Sequence, residues 1–89
     1  MSRRIAFTDH AWSDYLAWQQ ADRKMLRRIN ALINAAAHEP FEGVGKPEPL
    51  RGDWQGFWSR RIDDMHRLVY EADAHDLVIA TCRYHYGDH

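Results

Sequence analysis

The spacing of apolar residues changes from a helical period to a strand period near residue 40. Before that point, apolar positions recur three or four residues apart in two stretches. Thr8 or Asp9 is expected to cap the first helix and Asp22 the second, because their side-chain oxygens accept hydrogen bonds from free backbone amides. Pro40 ends the second helix, since proline has no amide to donate. The first half of the chain therefore predicts two consecutive helices.

Strand-like segments dominate the rest of the sequence. Residues 57–62, 66–71 and 77–86 predict three strands, and residues 4–7 predict a short strand before the first helix. The links between the three later strands are short and polar, so these strands are expected to form an antiparallel meander. We predict one α+β domain over residues 1–89, with the two N-terminal helices packed on one face of a small antiparallel sheet. The opposite face is expected to carry the basic and catalytic side chains.

A long loop is predicted between the second helix and the meander, over residues 40–56. Loops of more than about 12–15 residues in a compact domain are usually functional or disordered. Glu48 lies in this loop between Pro47 and Pro49, which restrict the backbone on both sides. A restrained carboxylate suits catalysis, so this loop is the first candidate for a functional segment.

Composition narrows the class of protein. The 89 residues are 45% hydrophobic, which is enough for one small core. No apolar stretch approaches the roughly 18–20 residues of a membrane span, and the N-terminal residues lack the apolar region of a signal peptide. We therefore expect a cytoplasmic protein. Its single cysteine, Cys82, is expected to be a small core residue in a reducing compartment.

The charge balance is close to neutral. Twelve basic and 13 acidic residues give a formal net charge of −1, which is not the general signature of a nucleic-acid-binding protein. The basic residues are nevertheless clustered, at the start of the second helix and in the second half of the chain. Such local clusters can bind phosphate groups, and they favour a pre-structured target over free nucleic acid.

Several side chains in the second half of the chain match the needs of metal-free RNA cleavage. In that reaction the 2′-hydroxyl attacks the adjacent phosphate, which requires a base, an acid and positive charge. Glu48 can serve as the base, and His85 as the acid because imidazole titrates near neutral pH. Arg61 and Arg67 can hold the phosphate through their planar guanidinium groups. Tyr86 can stack on a base.

Each of these residues also has a purely structural interpretation. A loop glutamate is often only solvated, adjacent arginines such as Arg60 and Arg61 usually form the exposed face of a strand, and a histidine near the C-terminus is often surface decoration. The other histidines show no ligand spacing with cysteines or paired carboxylates, so no metal site is expected. From the residue pattern alone both interpretations stay open.

Five motifs in a fixed order give the sequence a family resemblance. They are Pro-Phe-Glu-Gly at residues 40–43, Gly-Lys-Pro-Glu-Pro-Leu at 45–50, Gly-Phe-Trp-Ser-Arg-Arg-Ile at 56–62, His-Arg-Leu-Val-Tyr at 66–70 and Cys-Arg-Tyr-His-Tyr at 82–86. Together with Trp-Ser-Asp-Tyr-Leu-Ala-Trp at 12–18, they resemble the YoeB family of RelE-type bacterial toxins, in the RelE/ParE superfamily. The resemblance covers nearly the whole chain.

This resemblance implies both a fold and a function. The implied fold is that of microbial RNases, and the implied activity is ribosome-dependent endonucleolytic cleavage of messenger RNA in the A site, without a cofactor. The implied partners are the ribosome, messenger RNA and a cognate antitoxin of the YefM/Phd type. Contact with operator DNA is implied only through the antitoxin, and a homodimer is possible.

The resemblance also assigns roles to individual residues. It implies Glu48 as general base, Arg67 as the phosphate-stabilising residue and His85 as general acid. It implies that Lys46, Arg51, Arg61 and Tyr86 contact the substrate. Arg51 stands where lysine is common in the family, which preserves the charge. The tail Gly87-Asp88-His89 is a departure, since the family's chains commonly end at or just after the His-Tyr pair.

The sequence leaves open two alternatives from other functional classes. One is a catalytically inactive module that only binds its antitoxin and acts as a co-repressor with it. The other is an RNase that works without ribosomes. Appropriate residues at positions 48, 67 and 85 favour the catalytic toxin over the inactive module.

Overall fold

The computed structural model describes residues 2–84, which form two helices and a five-stranded sheet. The strands are β1 (Arg4–Phe7), β2 (Glu48–Pro49), β3 (Trp58–Arg61), β4 (Arg67–Ala72) and β5 (Asp76–Thr81). The helices are α1 (Asp9–Ala21) and α2 (Arg23–His38), and a single 3₁₀ turn covers Gly52–Trp54. This arrangement confirms the predicted α+β fold class.

The two helices begin where the sequence predicts. The Thr8 side chain accepts a hydrogen bond from the amide of Ala11, so Thr8 rather than Asp9 is the cap of α1. The carboxylate of Asp22 accepts hydrogen bonds from the amides of Lys24 and Met25 at the start of α2. Helix α2 ends at His38, two residues before Pro40.

The strand order across the sheet is β1-β5-β4-β3-β2. Strands β3, β4 and β5 form the predicted antiparallel meander. Strand β1 instead runs parallel to β5, with Ile5 opposite Leu77 and Phe7 opposite Ile79. The sheet is therefore mixed and not purely antiparallel. No hairpin joins β1 to β5, because both helices and the rest of the sheet separate them in the chain, so neither direction is imposed by a short turn.

Two predicted boundaries are corrected by the structure. Part of the predicted loop is the edge strand β2, whose Glu48 lies opposite Ser59 on β3. Proline is tolerated there because an edge strand leaves one side of its backbone unpaired. The last strand ends at Thr81 and not at residue 86, because the Asp14 carboxylate binds the Cys82 amide and the chain then bends at residues 83–84.

The hydrophobic core lies between the helices and one face of the sheet. Leu68, Tyr70 and Ile79 project from the sheet into a cluster that also contains Ile29 and Leu32 of α2. All five residues are fully buried. The helices therefore cover a single face of the sheet. No helix in the part of the chain described by the structure is long and apolar enough to span a membrane.

The only cysteine belongs to this core. Cys82 is fully buried, and its carbonyl accepts a hydrogen bond from the Trp18 indole at 2.9 Å. Burial, reinforced by the nearby Asp14 carboxylate, raises the pKa of the Cys82 thiol from 9.0 to about 12. The structure therefore confirms the expected core role of Cys82.

We predict that Cys82 is unreactive in the native protein. The thiolate is the nucleophilic form of cysteine. At pH 8 an aromatic disulfide reagent should therefore react at least about 100-fold more slowly with the folded chain than with the denatured chain. The folded thiol also retains its proton to higher pH than the unfolded thiol. Its contribution to the free energy of unfolding is therefore complete below about pH 9 and is lost as the pH rises towards 12. Equal reaction rates with and without denaturant would show that Cys82 is not in the core.

Candidate functional site

A small cleft of about 140 Å³ lies on the sheet face opposite the helices. The side chains that line it come from the end of the α2–β2 loop and from three neighbouring strands: Lys46, Glu48, Ser59, Arg61 and Arg67. The strand register explains why they meet. Glu48 on β2 lies opposite Ser59 on β3, and Arg61 on β3 lies opposite Arg67 on β4.

Positive charge predominates in this cleft. One carboxylate, Glu48, faces the cationic groups of Lys46, Arg61 and Arg67. Arg61 also forms an ion pair with Asp64, whose side chain is 94% exposed. An exposed ion pair of this kind is screened by solvent and stabilises little, so an incoming phosphate can replace Asp64.

The Arg67 guanidinium is held by backbone groups. Its Nη1 donates to the carbonyl oxygens of Asp63 at 2.6 Å and of His66 at 3.0 Å. Among residues 2–84, no carboxylate forms an ion pair with Arg67. The two carbonyl contacts hold the side chain without neutralising its charge, so the guanidinium can still bind an anion.

Gly45 lets the chain segment that contains Glu48 pack closely against β3. Its carbonyl accepts a hydrogen bond from the Arg61 amide at 2.7 Å, and its backbone adopts a φ of +87°, which favours glycine. A Cβ atom at this position would lie 2.8 Å from the Leu32 side chain and 3.2 Å from the Arg60 Cβ. A residue with a side chain would strain the backbone here and displace Leu32 or Arg60, so glycine favours the close approach of the loop to β3.

Arg60 differs from its expected position. Adjacent arginines on β3 suggest an exposed face, and Arg61 is exposed, but Arg60 is fully buried. Its guanidinium donates to the carbonyl oxygens of Glu39 at 2.6 Å, Glu42 at 2.8 Å and Val44 at 2.7 Å. Arg60 therefore holds the loop that leads to Glu48, a positioning role that the sequence analysis missed.

Tyr70 completes this buried network. The Arg60 Nε donates to the Tyr70 hydroxyl at 3.0 Å, and that hydroxyl donates to the Pro40 carbonyl at 2.6 Å. Burial raises the pKa of the Tyr70 phenol, against the smaller opposing effects of the hydrogen bond and the charge of Arg60. The phenol therefore stays protonated and keeps its donor. The alternation of Trp58, Arg60 and Ile62 on one side of β3 was the available signal for the burial of Arg60.

The remaining predicted site residues fall into two groups. Arg51 lines a neighbouring depression with Pro49 and Trp58 and does not line the cleft that contains Glu48. His85 and Tyr86 lie outside the described residues, as does the tail at 87–89, so their assigned roles stay predictions. The carbonyl of Tyr84, the residue before His85, accepts a hydrogen bond from the Arg67 amide at 3.0 Å.

Comparison with known proteins places the chain in a family. Residues 7–86 match the family model of the YoeB-like toxin of bacterial type II toxin-antitoxin systems. The chain belongs to the YoeB-like toxin family. It is similar to Toxin YoeB of Streptomyces coelicolor, with 60% identity over 83 residues that cover 93% of this chain and 99% of that protein. It is also 57% identical to Toxin YoeB of Synechocystis, over 93% of this chain and 96% of that protein.

Solved structures of YoeB proteins share the same fold. A YoeB/ParE toxin from Agrobacterium tumefaciens is 46% identical, with a TM-score of 0.89 over 93% of this chain and 99% of its own. A YoeB dimer from Staphylococcus aureus is 42% identical, with a TM-score of 0.88 over 97% and 100%. The toxin in a heterotetrameric YoeB-YefM complex from the same organism is also 42% identical, with a TM-score of 0.86 and the same coverage. The predicted YoeB resemblance is confirmed, and the chain is a toxin of the type II class.

We predict that the buried arginine of this YoeB-family toxin is essential for stability. Arg60→Met should lower the free energy of unfolding by about 3 kcal/mol or more, because it leaves several buried acceptors without donors, each costing roughly 1–3 kcal/mol. Urea denaturation followed by circular dichroism measures the change. The matched control is Arg61→Met on the same strand, which should cost less than about 1 kcal/mol because Arg61 is exposed. Equal losses in the two variants would contradict the anchoring role of Arg60.

Proposed function

We propose that this YoeB-family toxin is an endoribonuclease that cleaves messenger RNA in the ribosomal A site and thereby inhibits translation. The observation that carries the proposal is the shared cleft, in which the Glu48 carboxylate lies among the cationic side chains of Lys46, Arg61 and Arg67. Membership of the YoeB-like toxin family supports the same conclusion. The proposed chemistry follows from the groups that line this cleft and from the roles that the family resemblance assigns to other residues.

Glu48 is the proposed general base. Its carboxylate removes the proton of a 2′-hydroxyl, whose oxygen then attacks the adjacent phosphorus. Negative charge builds on the phosphorane, and the guanidinium of Arg67, assisted by Arg61 and Lys46, stabilises that charge. His85 is the proposed acid, which donates its proton to the leaving 5′-oxygen. The bond between phosphorus and that oxygen breaks, giving a 2′,3′-cyclic phosphate and a 5′-hydroxyl.

The proposal assigns the acid and base steps to side chains and none to a metal ion. Tyr86 and Arg51 are proposed to contact the RNA beside the scissile phosphate. Because Arg51 lies outside the cleft that contains Glu48, its proposed contact is with a flanking nucleotide.

Dependence on the ribosome is supported by charge and by the size of the cleft. A net charge of −1 gives little electrostatic attraction for free RNA. The cleft is also small, with a volume of about 140 Å³ and five lining residues. The ribosome is proposed to supply the missing binding energy by presenting the A-site codon. Arg23, Lys24 and Arg27 are exposed on α2 and are the proposed contacts with ribosomal RNA.

An antitoxin of the YefM/Phd type is the proposed protein partner. The supporting observation is the YoeB-YefM complex of Staphylococcus aureus, whose toxin covers 97% of this chain. We propose that antitoxin carboxylates neutralise the basic side chains of the cleft, and that operator DNA is contacted only through the antitoxin. A homodimer is supported by the Staphylococcus aureus YoeB dimer and by the exposed apolar side chains of Ile5, Trp12 and Leu16.

The role of Glu48 is tested by Glu48→Gln, which keeps the size of the side chain and removes its basicity. We expect the rate of cleavage of ribosome-bound messenger RNA to fall by roughly 10²–10⁴-fold, the usual contribution of a general base. Primer extension on a defined messenger RNA measures the rate. The matched control is Glu71→Gln, which changes an exposed carboxylate on β4 that does not line the cleft. This control should cleave at the wild-type rate.

Three outcomes would contradict the proposal. Unchanged cleavage by Glu48→Gln would remove Glu48 from the mechanism. Equally fast cleavage of naked RNA and ribosome-bound RNA by the wild-type toxin would indicate a ribosome-independent RNase. Absence of any cleavage, with intact antitoxin binding, would indicate a non-catalytic co-repressor.

A further inference from the structure

The His66 side chain is buried where β4 meets the end of the described chain. Its residue is 9% exposed. The imidazole packs edge-on against the Trp18 indole, with ring centres 4.9 Å apart, and its other neighbour is the Tyr84 ring at 5.5 Å. The ring is therefore fixed between α1 and the turn that follows β5.

His66 makes one directional bond to that turn. The Tyr84 backbone amide donates a hydrogen bond to His66 Nδ1 at 2.7 Å. A backbone amide can only donate, so Nδ1 must be the unprotonated nitrogen of the ring. The neutral imidazole with its proton on Nε2 is the form that makes this bond.

Tyr84 is held on its other side by Arg67. The Arg67 amide donates to the Tyr84 carbonyl at 3.0 Å. The consecutive residues His66 and Arg67 therefore bind the amide and the carbonyl of Tyr84. Tyr84 has a φ of +63°, a left-handed conformation that is unfavourable for a residue with a side chain. Surrounding contacts must hold such a conformation in place, and the His66 ring supplies one of them by accepting the hydrogen bond of the Tyr84 amide.

We infer that His66 is a positioning residue for RNA cleavage: its neutral imidazole holds the Tyr84 turn beside Arg67. The inference rests on the function proposed above, in which Arg67 stabilises the phosphorane and His85, the residue bonded directly to Tyr84, is the general acid. His66 acts through the backbone of Tyr84. We propose no contact between His66 and the reacting atoms.

This role makes the turn sensitive to pH. Protonation of Nδ1 would place two N–H donors face to face and break the bond to Tyr84. The bond is therefore present when His66 is neutral and is lost when the ring is protonated.

Charged groups of both signs surround the ring. The Asp63 carboxylate accepts a hydrogen bond from the His66 amide, and the Arg67 guanidinium donates to the His66 carbonyl. The Arg83 guanidinium lies over the rings of Trp18 and Tyr84. The Asp14 carboxylate on α1 binds the nearby Cys82 amide. The titration of His66 must be measured in their presence, in the intact chain.

Two variants distinguish the contribution of the His66 hydrogen-bond acceptor from that of its ring packing. His66→Asn keeps an acceptor, because the Asn Oδ1 occupies nearly the place of Nδ1 and does not titrate. His66→Phe keeps the ring that packs against Trp18 and removes the acceptor. Circular dichroism confirms that each variant is folded before further measurement.

The first measurement is independent of RNA cleavage. Nuclear magnetic resonance follows the Tyr84 amide proton and the His66 ring protons of the toxin between pH 5.5 and 8. We expect the Tyr84 amide resonance to move upfield in the wild type as the His66 ring protonates, with the same midpoint. It should not follow pH in His66→Asn. A Tyr84 amide that ignores the titration of His66 in the wild type would overturn the inference.

The second measurement is the rate of cleavage of ribosome-bound messenger RNA across the same pH range. His66→Phe should cleave about tenfold more slowly, the effect of losing about one net hydrogen bond, and His66→Asn should stay within about threefold of the wild type at pH 8. The low-pH decline of the rate should move to lower pH in His66→Asn. Equal losses in both variants, or an unmoved low-pH decline, would show that His66 is only a packing residue.

The two measurements also separate this inference from the proposed function. A wild-type toxin that cleaves no RNA would refute the proposed function and with it the catalytic part of the inference. The Tyr84 resonance would still decide whether His66 holds the turn.

Discussion

The burial of one guanidinium, that of Arg60, determines where the proposed catalytic base lies. A charged group is expensive to remove from water unless its hydrogen-bonding atoms are satisfied. Arg60 meets this requirement with three backbone carbonyls and the Tyr70 hydroxyl, and no buried side-chain nitrogen or oxygen in the described residues lacks a hydrogen-bond partner. The carbonyls belong to a segment without helix or strand. The guanidinium supplies the hydrogen-bond donors that a neighbouring strand would supply in a sheet.

The chemistry of the cleft follows from this anchor and from the alternation of β3. Side chains of one parity, including Arg60, point towards the helices and fix the loop. Side chains of the other parity, Ser59 and Arg61, point to the open face, where Glu48 and Arg67 meet them from the adjacent strands. Two adjacent arginines thus have opposite roles, one inside the protein as a structural donor and one outside as a phosphate-binding candidate. Strand β3 therefore contributes both to the stability of the fold, through Arg60, and to the proposed reaction, through Arg61.

Local signals were sufficient for the helices and the fold class. Thr8 and Asp22 cap the helices through atoms two or three residues away. The apolar period is strong in α2 and weak in α1, where Trp12 and Leu16 are exposed. Motif order also identified Glu48 and Arg67 through family resemblance, and the structure places both in one cleft. Their catalytic roles are not tested by that placement and remain proposals.

The features that the sequence did not reveal depend on distant partners. The burial of Arg60 requires carbonyls 16–21 residues earlier in the chain. The parallel pairing of β1 requires β5, which lies about 70 residues further along. The early end of β5 depends on Asp14, 68 residues from Cys82. Strand β2 has two residues, one of them proline, so no period of apolar residues could show it.

The role of Glu48 as the general base is tested most directly by blocking the 2′-hydroxyl that it is proposed to activate. Ribosomes should be loaded with messenger RNA carrying a single 2′-O-methyl group on the nucleotide before the scissile phosphate, and with a control RNA methylated one nucleotide later. If Glu48 activates the 2′-hydroxyl, the first RNA will stay intact, and the control will be cut to a 2′,3′-cyclic phosphate end. Cleavage of the first RNA at its usual position would contradict 2′-hydroxyl attack and with it the assignment of Glu48 as the base.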